Sequence, residues 1–227
     1  MPGTIYLGGG GSPEDEHLLW KEMFKETPRV LYWPFALSGS MLLGAEGWLR
    51  ENLAARWPGV ALTTWTGLGG HVPSELSGFD LLFIGGGNTF DLLKHVQEHH
   101  FATPVKQFVA DGGSLYGGSA GAILASDSID SALGYDQNDA GLTDLIGLGL
   151  VPRVVILPHY TEKEQHKALK LHRTHSRPVL GIPEASGLLV TERDATVVGR
   201  DPVYVIEGAG IRHVAPGSQV SGVALAV

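Results

Sequence analysis

The sequence predicts an α/β fold in a single domain over residues 1–227, with a mostly parallel central sheet, helices on both of its faces and antiparallel strands toward the carboxyl end. Three observations carry this. Short runs rich in Val, Ile, Leu and Tyr recur along the chain, segments with helical spacing separate them, and several runs end in glycine clusters. With 227 residues, 43% of them hydrophobic and 18% charged, the chain can bury a full core without disulfides or a structural metal.

The first strand reads Thr4-Ile-Tyr-Leu7 and ends in Gly8 to Gly11; Ser12 as cap and Pro13 in the first turn then mark a helix with a stripe of Leu18, Leu19, Met23 and Phe24. Val30 to Phe35 is the second strand, a helix runs from about Ser40 to Arg56, and Val60 to Trp65 is the third strand. Asp80 to Ile84 is an apolar strand that breaks at Gly85-Gly-Gly87 and restarts as a helix through Phe90, Leu92 and Leu93. A helix over Ala102 to Ala110 precedes a short strand, Ser114 to Tyr116, which runs into Gly117-Gly-Ser-Ala-Gly121 and a helix-like segment, Ala122 to Ser126. Residues 127–144 are acidic and without periodicity, and read as a surface loop near the site. Val154 to Leu157 is a strand followed by a helix with Thr161 and Glu164 at capping-box spacing, and Val179 to Ile182 returns to the sheet. The runs 187–191, 196–198 and 203–206 read as the antiparallel strands that complete the domain.

Composition narrows the chemistry. Cysteine is absent, which removes disulfides, a thiol nucleophile and Cys-based metal sites. A net charge of −8 disfavours nucleic acid, whose affinity rests on phosphate neutralisation by Lys and Arg. The amino terminus lacks a signal-peptide pattern and no stretch has the length of a membrane span, so the expected location is cytoplasmic.

The segment Gly117-Gly118-Ser119-Ala120-Gly121 satisfies G-x-S-x-G between a strand and a helix, the context in which a strained turn presents a nucleophilic serine; a packing turn is the alternative. His159, just past a strand, is the candidate base, and Glu184, just past another, could accept its second N–H. In a parallel sheet the carboxyl ends of strands share one rim, so Gly87, Ser119 and His159 are expected to converge. The glycine turn before Asn88 offers backbone N–H groups that, with the Ala120 amide, could form an oxyanion hole. His95 and His99 stand four apart on a helix without an evident third ligand, so no metal is expected, and His166, His172 and His175 read as a solvated face. The Gly8 to Gly11 run is either a substrate-facing loop or a flexible turn.

Phe83-Ile-Gly-Gly-Gly-Asn-Thr-Phe90, Leu92-Leu93, Gly118-Ser-Ala-Gly-Ala122, Pro158-His-Tyr160 and Gly181-Ile-Pro-Glu184 resemble, in order, the signature segments of the peptidase E family of serine peptidases, the aspartyl dipeptidases. Tyr32-Trp-Pro-Phe-Ala36 resembles that family's second strand. The resemblance implies a flavodoxin-like fold similar to class I glutamine amidotransferases, with Ser119 in place of their cysteine, His159 as base, Glu184 as third member and the Gly87 and Ala120 amides as oxyanion hole. It implies hydrolysis of dipeptides with amino-terminal Asp. The expected partner is a small peptide substrate, with no cofactor, and the expected state is a monomer or homodimer. Where that family has an arginine to hold the aspartate side chain, the matching stretch offers Lys163, which neutralises a carboxylate without a bidentate fork. Asn88 and, for the substrate amine, Asp136 or Asp139 complete the expected binding set. Two alternatives remain: a hydrolase of other acyl or β-aspartyl peptides, like cyanophycinase-like relatives, and an inactive binding homologue.

Overall fold

The computed structural model describes residues 1–208 and 210–224. In chain order the strands are β1 (Ile5–Gly8), β2 (Arg29–Trp33), β3 (Ala61–Thr64), β4 (Leu81–Ile84), β5 (Ser114–Gly118), β6 (Val155–Pro158), β7 (Val179–Ile182), β8 (Ser186–Val190), β9 (Ala195–Gly199), β10 (Val203–Glu207) and β11 (Gly210–Val214). The helices are α1 (His17–Met23), α2 (Gly39–Arg56), α3 (Thr89–Glu98), α4 (Ala102–Ala110), α5 (Ala120–Leu124) and α6 (Gln165–His175).

The larger sheet has the order β3-β2-β4-β5-β1-β8-β9. Its first five strands are parallel, and β8 and β9 extend it antiparallel. Strands covered on both faces need apolar side chains at every position, and β4, Leu-Leu-Phe-Ile, is buried throughout. Alternation still sorts the residues: Leu31, Trp33, Leu82 and Ile84 pack with α3 and α4 residues such as Phe90, Leu93 and Val105. Val30, Tyr32, Leu81 and Phe83 face the other way, onto Leu19, Trp20, Leu49 and Leu53 of α1 and α2. Each such side chain, fully buried, contributes roughly 1.5–3 kcal/mol. Among the described residues no helix is long and apolar enough to cross a membrane.

Three expectations are corrected. β6 and β7 do not return to the larger sheet; they pair with each other in parallel and sit in a second, mixed sheet of order β11-β10-β7-β6, with its own core against α6. The C-terminal strands are therefore divided between the two sheets. Ser12 does not start α1: its hydroxyl and amide close a turn on Asp15, and α1 begins at His17. Thr161 makes no side-chain capping bond, and a 3-10 turn, Glu162–Glu164, precedes α6.

Candidate active site

β5 ends at Gly118 and α5 begins at Ala120, leaving Ser119 alone at the turn with φ 50° and ψ −107°. A non-glycine residue in this region is strained, and the surroundings hold it there. The strand and helix approach too closely for side chains between them: a Cβ on Gly117 would lie 2.4 Å from the Gly121 carbonyl oxygen. Ser119 thus stands just past the strand end.

The second sheet delivers the other two groups. The backbone N–H of His159, one residue beyond β6, donates to the Gly9 carbonyl at 2.8 Å, and Gly9 N–H donates to the Ser186 carbonyl at 3.0 Å. The first bond brings the end of β6 against the end of β1, which lies beside β5, and the second ties the start of β8, two residues past Glu184, to the same place. Ser119 Oγ then stands 2.9 Å from His159 Nε2, and His159 Nδ1 stands 2.9 Å from Glu184 Oε1. If Nε2 is to accept from the hydroxyl, Nδ1 carries the ring proton and donates it to Glu184. The His159 and Glu184 side chains are 46% and 59% exposed, so the pair does little for folding and its geometric role stands apart from stability.

Gly10 shapes this relay, a part for which the glycine run gave no specific signal. It has φ +91°, and a Cβ there would lie 2.5 Å from His159 Cε1 and Nε2 and 2.9 Å from Ser119 Cβ. The Gly10 N–H donates to Glu16 Oε1 at 2.8 Å. Glu16 is 2% exposed and also accepts from the Trp20 indole N–H and the Tyr116 hydroxyl. Burial raises its carboxyl above the ordinary range against the opposing pull of those donors. Burial likewise raises the Tyr116 phenol, with the Glu16 charge adding to it.

The N–H groups of Gly87 and Ala120 find no acceptor among the described residues. Asn88 is otherwise engaged: its Oδ1 caps α3 by accepting from the Phe90 and Asp91 amides, and its Nδ2 donates to the Gln137 carbonyl. Asp136 lines a cavity of about 360 Å³ with Gly87, Ser119, Tyr135, His159 and Glu164, while its Oδ2 accepts from the Thr89 amide and hydroxyl. Asp139 and Lys163 are exposed and line neither this cavity nor the second one at Ser119. Lys167, one helical turn on from Lys163, does not line the cavity itself but contacts two residues that do, with Nζ 3.0 Å above the centre of the Tyr135 ring and donating to the Ser131 carbonyl. Burial lowers its ammonium to about 8.

Of the other histidines singled out, His166 is exposed, as a solvated face requires, while three have structural partners. His95 packs on Phe35 with ring centres 4.8 Å apart, and burial lowers its pKa. His172 is not solvated as expected: its Nε2 accepts from the Gly208 amide, so Nδ1–H donates to the Arg177 carbonyl, tying α6 to the β10–β11 turn. His175 faces Asp130 at 3.4 Å.

The family model of Peptidase family S51 matches residues 5–198, a span that contains the whole Ser119–His159–Glu184 relay. The chain belongs to this family. It is 33% identical over 139 residues to "Peptidase E" of Citrobacter koseri, covering 56% of this chain and 58% of that protein. It is 31% identical over 141 residues to "Peptidase E" of Escherichia coli K12, covering 56% of this chain and 59% of that protein. The S51 chain thus matches a little under three-fifths of the length of these relatives. Two solved structures share the fold. A peptidase from an acI-B1 Actinobacterium has TM-score 0.71 at 19% identity, over 97% of both chains. A peptidase E candidate from Listeria monocytogenes EGD-e has TM-score 0.70 at 20% identity, over 87% of this chain and 98% of that one.

Proposed function

We propose that this S51 chain is a serine peptidase of short peptides, most favourably of dipeptides with amino-terminal Asp. The observation that carries the reading is the relay itself, 2.9 Å from Ser119 Oγ to His159 Nε2 and 2.9 Å from Nδ1 to Glu184, anchored on a serine at positive φ. As Ser119 Oγ bonds to the peptide carbonyl carbon, its proton passes to Nε2 and Glu184 stabilises the resulting imidazolium. The carbonyl oxygen takes up the negative charge against the Gly87 and Ala120 N–H groups. The C–N bond then breaks with Nε2 returning the proton to the leaving amine, and water releases the acyl group by the same steps in reverse.

The cavity beside Gly87 suits the Asp residue. Asp136 and Glu164 on its wall offer carboxylates to a free amino group, and Lys167, behind Tyr135 and Ser131, brings a positive charge toward a side-chain carboxylate. Ser119→Ala tests the assignment: hydrolysis of Asp-X dipeptides and labelling by a small fluorophosphonate are both expected to vanish while the melting temperature stays within a few degrees of the parent. Turnover retained by the purified variant rejects Ser119 as nucleophile.

A further inference from the structure

Ser119 also borders a second cavity, of about 370 Å³, which shares only Ser119 with the cavity that Asp136 lines. Trp20, Tyr32, Met41, Trp48 and Phe83 line it, together with Gly118 before the serine and glycines of the Gly8 to Gly11 and Gly85 to Gly87 turns. Its aromatic walls are already set: Trp20 stands edge-on to Phe83 at 5.4 Å and to Trp48 at 6.4 Å, and Tyr32 edge-on to Phe83 at 5.4 Å. Trp20, Tyr32 and Phe83 are 2% exposed each, whereas Met41 and Trp48, on α2, are 63% and 45% exposed. Among the described residues no charged side chain lines the cavity. Glu16, a carboxylate behind its wall, is occupied by Trp20, Tyr116 and Gly10.

We infer that this cavity receives a large aliphatic or aromatic side chain of the substrate's leaving residue. The inference rests on the peptidase reading, in which the acyl residue, Asp, occupies the polar cavity; the residue beyond the scissile bond is then left to the apolar one. A preformed aromatic cavity rewards burial of apolar area and offers nothing to a charge, so the favoured substrates are Asp joined to a bulky apolar residue. The cavity also accounts for Met41 and Trp48 standing exposed on a helix with a narrow buried stripe of Ala45, Leu49 and Leu53: they roof a site rather than fill a core.

Gly44 gives a direct test. It lines the cavity from α2, and a Cβ built there meets nothing within 4 Å, so a phenylalanine at 44 fills the space without a backbone clash. Binding of Asp-Phe and Asp-Gly is measured by calorimetry in the Ser119→Ala chain, where neither peptide turns over. Asp-Phe is expected to bind about tenfold or more tighter than Asp-Gly, the range open to an apolar side chain in an apolar pocket. Adding Gly44→Phe is expected to bring the two within about twofold of each other, and Met41→Ala with Trp48→Ala to shrink the gap from the opposite direction, by removing the roof. Equal affinity for the two peptides, no binding of either, or a preference that survives both sets of changes overturns the inference. Hydrolysis of the same peptides by the unaltered chain is scored separately; binding preference without hydrolysis rejects the peptidase reading and leaves the apolar cavity standing.

Discussion

At the scale of single residues, the geometry of the relay is set as much by a missing side chain as by those present. Gly10 fills no space, and the imidazole of His159 occupies the volume a methyl would take. Gly10→Ala therefore faces two penalties: a positive φ costing an L-residue about 1–2 kcal/mol, and a 2.5 Å contact that must be relieved by moving the ring or the loop. Because the ring lies near the surface and the loop is tied to buried Glu16, the ring is the part that yields. Gly10→Ala is expected to lower kcat/KM for an Asp-X dipeptide by about 100-fold or more, the scale of a misplaced catalytic group, with a modest drop in melting temperature. Near-parental kinetics would mean that the loop moves instead and that Gly10 does not hold the relay in place. None of this was legible in the run Gly8 to Gly11, since the residues that demand a glycine there, His159 and Ser119, lie more than a hundred positions away. Ser119 itself was legible because its requirement is local: small neighbours on a strand-to-helix turn.

Whole elements were read with uneven success, for identifiable reasons. Apolar runs revealed β2, β4, β6 and β7 within a residue or two, because burial on both faces leaves an uninterrupted signal. The same uniformity hides the partner, so periodicity could not tell that β6 and β7 form a separate sheet. β11 escaped because it is an edge strand with mostly exposed positions, including Arg212 and His213. The acidic stretch, read as a surface loop near the site, does line the cavity at Ser119, but composition hid its contacts: Asp127 bonds Arg177 and the Arg153 amide, and Asp136 holds the start of α3. The segment after β6 shows what a small shift of helix start does: a 3-10 turn occupies Glu162–Glu164, leaving Lys163 exposed and placing Lys167 behind the polar cavity. With Lys167 lowered to about 8 by burial, its charge fades as pH rises through that value. An Asp-X peptide should accordingly show KM rising above pH 8 with the parent chain, a rise abolished by Lys167→Met and retained by Lys163→Met. A pH profile of KM unchanged by Lys167→Met would remove this lysine from substrate recognition.

For the molecule as a whole, the decisive feature is that two sheets meet at the proposed site, and the seam between them runs back to one buried acid. Glu16 joins the end of β1 through the Gly10 amide, α1 through Trp20 and β5 through Tyr116, while Gly9 and Gly10 bear on His159 from the second sheet. Its titration is therefore coupled to folding. Burial raises the folded-state value above the ordinary 4.5, so between that value and the raised one the folded chain binds more protons than the unfolded chain. Stability contributed by this group is thus fully present below 4.5 and is lost as pH rises through the folded value. Glu16→Gln removes the titration and keeps the shape. Subtracting the variant's unfolding free energy from the parent's at each pH cancels the other ionisable groups, and the difference is expected to be most favourable to the parent in acid and to decline toward neutrality. A difference that stays flat, or that grows with pH, would mean that the three donors around the carboxylate outweigh its burial, and that the seam is held by a charged Glu16 throughout.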